Sequence, residues 1–330
     1  MTFHPSIFAL HLSSLLITSM ILFATRYAVQ ILRKWNLQSG SELQLSLERK
    51  TYLVSTLLAY AFCFQLFSLF LFIFTADQIH PLFVGAMCAA GSLHVNSYGY
   101  PALLLKILTF LLAGLWLIVN HSDNSAYDYP LVKKKYALLL LIAPLMVIET
   151  TLQWNYFLRL RPDVITSCCG SLFSTGVETI SSEVASLPSF PMKVLFYLAL
   201  ILTLGSGLLF FLRSWGGYGF ALLSIVTFVT SILSIISFIS LYYYELPTHH
   251  CPFCLLQKEY GHVGYPLYLC LLGGGVSGLG VGGLMPFRKI ESLKVALPCF
   301  QKRLAMSSLI FYGTFGGLVT WRMIFSNLTF

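Results

Sequence analysis

Charge is what this sequence has least of. Only 10% of its 330 residues are Asp, Glu, Lys or Arg, against about 25% in a domain that must solvate its own surface. With 57% hydrophobic residues and 15% aromatics, the chain cannot present an exterior suited to water. A soluble enzyme and a nucleic-acid-binding module are both excluded. The apolar stretches lack the apolar–polar alternation of membrane-spanning strands, so a β-barrel is excluded too. The first stretch lacks a basic leading segment and a small-residue cleavage site, and its charges follow it, so it is expected to be a retained span and not a cleaved signal. Acidic residues are scarcer than basic ones, 12 against 20, for a formal charge of +8. That excess needs no nucleic acid to explain it, because membrane proteins gather Lys and Arg in their cytoplasmic loops.

What the chain has in quantity is long apolar runs. At about 20 residues per crossing, eight spans are predicted: Ser6–Tyr27, Thr51–Ala76, Pro101–Asn120, Tyr136–Leu160, Met192–Leu212, Tyr218–Tyr244, Val263–Met285 and Leu304–Phe325. The expected fold is an all-α polytopic membrane protein in a lipid bilayer, arranged as two tandem four-helix bundles. The division is residues 1–160, an extracytoplasmic loop 161–191, and residues 192–330. Counting connections together with the span ends that adjoin them, fourteen Lys and Arg residues fall on the side of the connections after the first, third, fifth and seventh spans, and five on the other side. The bias sets the basic loops in the cytoplasm and both termini outside, with a bacterial inner membrane as the expected location.

This orientation sorts the reactive side chains. Cys88, Cys168, Cys169, Cys251 and Cys254 fall in outer loops, with His80, His94, His249, His250 and His262. The outer face is an oxidising compartment where thiols meet disulfide chemistry and metal ions. Cys63, Cys270 and Cys299 read as packing residues. No two histidines fall mid-membrane on facing spans, which argues against haem.

Gly99-Tyr100-Pro101 and Gly264-Tyr265-Pro266 open the third and seventh spans, 165 residues apart. Each follows a Cys- and His-bearing outer loop and sets Pro in a helix's first turn, where its missing N–H costs nothing. An internal duplication would produce this pattern.

The densest motif is Thr248-His249-His250-Cys251-Pro252-Phe253-Cys254-Leu255-Leu256-Gln257-Lys258. A CxxC lets two sulfurs close a small ring. At a helix N-terminus, amide dipoles would lower the first thiol's pKa, and the two imidazoles would add positive charge or move protons. The same spacing serves metal binding or a static disulfide.

At these residues the chain resembles the DsbB-type disulfide-generating membrane oxidoreductases, whose signature is Cys-x-Leu-Cys-x-x-Gln-Arg, and their vitamin K epoxide reductase cousins. The resemblance implies a CxxC at the outer edge of a four-helix bundle, passing electrons from a periplasmic thioredoxin-fold partner to a membrane quinone. Cys251 and Cys254 would then be the redox pair, with Gln257 and Lys258 on the quinone side. Lys stands where the family has Arg, so bidentate contacts do not carry over. The second cysteine pair also comes earlier here than in the family, an order that a circular permutation of the last four spans would produce.

Cys168 and Cys169 are neighbours, for which a mutual disulfide is strained, so either is expected to pair with Cys88 or Cys251, or both to bind a soft metal. Within the spans, Glu149 reads as a proton relay or ion-pair partner on the cofactor side, whereas Lys106 is expected to snorkel outward. Gly274, Gly278 and Gly282 permit close helix packing.

The leading expectation is a quinone-linked thiol–disulfide oxidoreductase. In it Cys251 and Cys254 exchange electrons with a second thiol site, Cys88 with Cys168 or Cys169. The alternatives are a soft-metal (copper) transport or delivery protein using His249, His250, Cys251 and Cys254 as ligands, and a non-catalytic subunit among other membrane subunits.

Overall fold

The computed structural model describes residues 4–36, 41–166 and 189–328. Among these there is no strand, and eight helical segments are long and apolar enough to cross a bilayer. They are α1 (Pro5–Lys34), α2 (Glu42–Gln78), α4 (Gly99–Asn124), α5 (Val132–Leu158), α6 (Ser189–Arg213), the continuous run α7–α8, α9 (Gly264–Leu284) and α10 (Ala296–Phe325). The run joins α7 (Gly217–Ser234) to α8 (Ser240–Tyr244) through a π-helical turn, Ile235–Ile239, and a short α3 (Ala89–His94) precedes α4. All eight predicted spans are present. Helix α1 overruns its apolar stretch because Arg33 and Lys34 are good helix formers that suit a C-terminal turn. Large apolar side chains such as Phe67, Leu104 and Ile201 stand 65% exposed or more on the helix surfaces, as lipid-facing positions require. The chain is a multi-pass membrane protein.

It divides into two compact units, and the division does not follow chain order. The first takes the chain up to Thr75, Val95–Arg161 and Pro286–Pro298; the second takes Ala76–His94, Pro162–Met285 and Cys299 onward.

In the first unit α5 packs against α1 and α4, and Gln65 and Ser68 of α2 reach α5 and α4. The enclosed core is apolar, built around Phe62, Trp116, Tyr136 and Met146. Two ion pairs are set within the unit. Lys106 Nζ lies 2.7 Å from Glu149 Oε1, with side chains 0% and 1% exposed. Gln65 donates to both Glu149 oxygens at 3.0 and 2.7 Å, Thr109 donates to Oε2 at 2.5 Å, and Lys106 also donates to Ser68 at 2.9 Å. Lys106 therefore does not snorkel. Its ammonium is held between two facing helices, and withdrawing it would strand a buried carboxylate. Lys135, counted above among the cytoplasmic loop charges, is likewise buried. It pairs with Asp123 at 2.7 Å, whose other oxygen accepts the Leu131 N–H at 2.7 Å and so closes the α4–α5 turn.

In the second unit α7 packs against α6 and α9. Helix α10 joins α9 through the Ser308 hydroxyl on the Gly274 carbonyl at 3.0 Å, and α6 through Tyr197 and Thr320 at 3.0 Å. The glycine stripe of α9 does what its spacing predicts. A Cβ at Gly274 would sit 3.0 Å from the Tyr312 ring, while one at Gly278 would overlap the Ser224 side chain. Only a residue without a side chain lets α7 and α9 approach this closely.

Two stability tests follow from these contacts. Glu149→Gln and Lys106→Met should each destabilise the protein by about 3–5 kcal/mol, because each leaves the other charge buried alone. The double variant Lys106→Met/Glu149→Leu should lose clearly less than the sum of the two, as read by thermal unfolding in detergent. Gly278→Val should lower the midpoint through overpacking, by roughly 1–3 kcal/mol. Gly205→Ala, with nothing within 4 Å of the added carbon, should leave it unchanged or raised.

Candidate functional site

Two loops of the second unit carry thiols, and the structure brings them together. One follows α2 and leads through a 3-10 turn, His80–Leu82, to Cys88 and α3; the other joins α8 to α9 and carries Cys251 and Cys254. The first loop is shaped by Gly85, whose φ of +83° no side-chain-bearing residue adopts easily. There the chain lies against Thr166, whose N–H donates to the Val84 carbonyl at 2.9 Å. Asp77 Oδ1 then accepts the Ala89 N–H at 3.2 Å and fixes the start of α3 beside Cys88.

The Cys251–Cys254 turn is held chiefly through backbone carbonyls. The Tyr244 hydroxyl donates to the Cys251 carbonyl at 2.5 Å, and the Tyr268 hydroxyl donates to the Pro252 carbonyl at 2.6 Å. His250 Nδ1 bonds the Ile236 carbonyl at 2.9 Å, within the π-helical turn, where the widened winding shifts carbonyls away from the regular α-helical pattern. Gln257 ties the two loops to each other: its amide donates to the Met87 carbonyl at 2.8 Å and to Asp77 Oδ1 at 3.3 Å.

The result is a buried cluster of three thiols. Cys88 Sγ lies 3.3 Å from Cys251 Sγ, and the sulfurs of Cys88, Cys251 and Cys254 are all within 4.8 Å of one another. The three residues are 0%, 1% and 3% exposed. Hydrogen bonding sorts them. Cys251 accepts the thiol of Cys254, the thiol of Cys88 and the N–H groups of Cys254 and Phe253, which outweigh burial and hold it well below the ordinary thiol range. Cys254 is pushed up, first because its proton is committed to Cys251 and next because it lies beside Cys88 in a dry site. Of the pair, Cys251 is therefore the more readily ionised sulfur and Cys254 the one that holds its proton.

Several expectations are corrected by this geometry. The CxxC does not cap a long helix: Cys254 opens only a three-residue 3-10 turn, Cys254–Leu256, and α9 begins at Gly264. Local N–H groups and neighbouring thiols activate Cys251, and no macrodipole contributes. His249 and His250 do not join the sulfurs. His250 is committed to Ile236, and the His249 ring meets the Tyr244 ring edge-on at 4.5 Å. Burial, first, and the neighbouring His250 both lower the His249 pKa, so it is neutral near pH 7. Among the described residues, the third donor beside the CxxC is Cys88, not an imidazole.

Cys168 and Cys169 lie outside the described residues. Lys258 is exposed, while Gln257 serves the loop junction. Glu149 belongs to the first unit, where both its oxygens are engaged. Cys63 and Cys299 are exposed, and Cys270 is buried without joining the cluster. Sequence reasoning missed Asp77, Tyr244 and Tyr268 as positioning residues. The repeated Gly-Tyr-Pro, with a cysteine ahead of each copy, was the signal that could have joined Cys88 to the CxxC.

Compared with family models, with curated proteins and with solved structures, the chain matches none. The thiol geometry therefore carries the functional reading alone.

The thiol order predicts a pH profile. The folded protein keeps Cys251 ionised where an unfolded thiol, near pH ~8.5, would not be. That contribution to stability is complete above the unfolded value and is lost as pH falls through the lowered folded one. In reduced protein, the pH midpoint for alkylation of Cys251 should lie below that of an ordinary thiol. Cys88→Ala, which removes one donor, should shift that profile toward alkaline pH. A profile centred near the ordinary thiol value in both proteins would contradict the assignment.

Proposed function

We propose that the protein is a membrane thiol–disulfide oxidoreductase with Cys251 as the exchanging sulfur and both Cys254 and Cys88 in reach to resolve it. The observation that carries this reading is the 3.3 Å approach of the Cys88 and Cys251 sulfurs inside a buried site. Thiol–disulfide exchange proceeds by in-line attack of a thiolate on a disulfide sulfur. A third sulfur at contact distance from the nucleophile has no role in a static CxxC bridge.

The electron balance is simple. The Cys251 thiolate and the Cys254 thiol would give up two electrons and close to a disulfide; a membrane quinone, the acceptor implied by the family resemblance, would receive them with two protons, one from Cys254 and one from solvent. A thiolate of a thioredoxin-fold partner attacks Cys251, and Cys254 departs and takes up a proton. The partner's second thiolate then expels Cys251, so the partner carries the disulfide away. Attack of Cys88 on Cys251 is a parallel route. It shifts the bridge to Cys88–Cys251, frees Cys254 and changes no net oxidation state. In this reading the thiol loops and both termini face the oxidising side of a bacterial inner membrane, in keeping with the excess of basic residues in the opposite connections.

The third thiol makes a specific prediction. With one resolving sulfur deleted, the other should still act. Reduced Cys254→Ser treated with oxidised glutathione should yield a Cys88–Cys251 disulfide and little adduct. The double variant Cys88→Ser/Cys254→Ser should instead retain glutathione on Cys251, as read by intact mass and peptide mapping. A persistent adduct in Cys254→Ser alone, or none in the double variant, would count against the reading.

A further inference from the structure

Three buried sulfurs converge here with no other strong donor beside them. Among the described residues, no histidine, aspartate or glutamate donor joins Cys88, Cys251 and Cys254 within the same distance limit. The nearby backbone oxygens are engaged as well: the carbonyls of Cys251 and Pro252 accept the Tyr244 and Tyr268 hydroxyls, and that of Met87 accepts the Gln257 amide. Hard cations that need several oxygens, such as magnesium or calcium, find few ligands in such a site.

We propose that the fully reduced triad is a three-coordinate thiolate site for a soft monovalent cation, Cu(I), with Cys88, Cys251 and Cys254 as its ligands and no histidine. The dimensions suit it. With metal–sulfur bonds of about 2.3 Å, a trigonal set of sulfurs is spaced by ~4 Å. Here one pair lies at 3.3 Å and all three within 4.8 Å, so small side-chain rotations would complete the triangle. Structural zinc takes four ligands, and a fourth is missing from the described residues around the triad. Thiolates select Cu(I) among the metals that accept so few ligands. Burial keeps water from filling the remaining position.

Binding is not a redox step. Cu(I) enters as Cu(I), and Cys88 and Cys254 release their thiol protons to solvent as they ligate it beside the Cys251 thiolate. Metal and disulfide exclude each other, because any bridge within the triad consumes two of the three ligands. The inference uses the same sulfurs as the oxidoreductase reading but does not require it, and the glutathione experiment is done on metal-free protein, so either can fail alone.

The test is an anaerobic titration of the full-length, reduced protein in detergent with Cu(I), against a chromophoric Cu(I) chelator. One ion per chain is expected. Cys88→Ser should weaken binding by at least about 100-fold, the upper end of what losing even an outer-shell partner does. His249→Ala, which leaves the His250 bond to the Ile236 carbonyl in place, should stay within a few fold of the parent. Protein oxidised to a disulfide beforehand should bind none. X-ray absorption of the loaded parent protein should show sulfur neighbours only, a measurement that holds even if a cysteine variant fails to fold. Binding that survives Cys88→Ser or disappears with His249, or nitrogen neighbours around the metal, would overturn the proposal.

Discussion

Away from water, a backbone carbonyl without a donor is costly, and the chain itself must supply the partner. The thiol site depends on this constraint. Tyr244 and Tyr268 satisfy carbonyls on either side of the Cys251–Pro252 bond, Gln257 satisfies the one before Cys88, and His250 satisfies one in the π-helical turn. Each bond also removes a degree of freedom from a loop that would otherwise move. The same four interactions that discharge the polarity of the backbone therefore hold three sulfurs within reach of one another. Residues that looked from the sequence like candidate ligands, His250 and Gln257, are used as donors to carbonyls instead.

Once the sulfurs are held, their chemistry follows from who donates to whom. Cys251 is the common acceptor, so its charge is spread over two thiols and two N–H groups, while Cys254 keeps its proton. The thiol exchange and the soft-cation binding proposed above share one cause, the convergence of three sulfurs in a dry pocket, and would be mutually exclusive at any moment.

The first unit meets the polarity constraint by pairing charges. Lys106 with Glu149, and Lys135 with Asp123, each close a bond between neighbouring helices or across a turn, and each carboxylate is further hydrogen-bonded. Such pairs contribute less to net stability than to register, because apolar replacements of both partners can be tolerated whereas loss of one cannot. They account for intramembrane ionisable residues without a proton path.

Much of the architecture was legible without coordinates. Eight helices, their approximate bounds and the glycine stripe of α9 are properties of local sequence. Apolar run length and helical spacing are set by neighbours in the chain, and a bilayer demands both. The partners were not legible. Cys88 meets Cys251 across 163 positions and Glu149 meets Lys106 across 43, and which side chains face one another across helices depends on the rotation and tilt of packed elements, which no local period encodes. The sequence by itself determined that this is a helical membrane protein whose last four spans include a CxxC loop. Only the tertiary structure decided that a third thiol meets the CxxC, that His250 bonds a carbonyl, and that Lys106 stays inside, because buried polar groups take whichever partner the packing brings within hydrogen-bond reach.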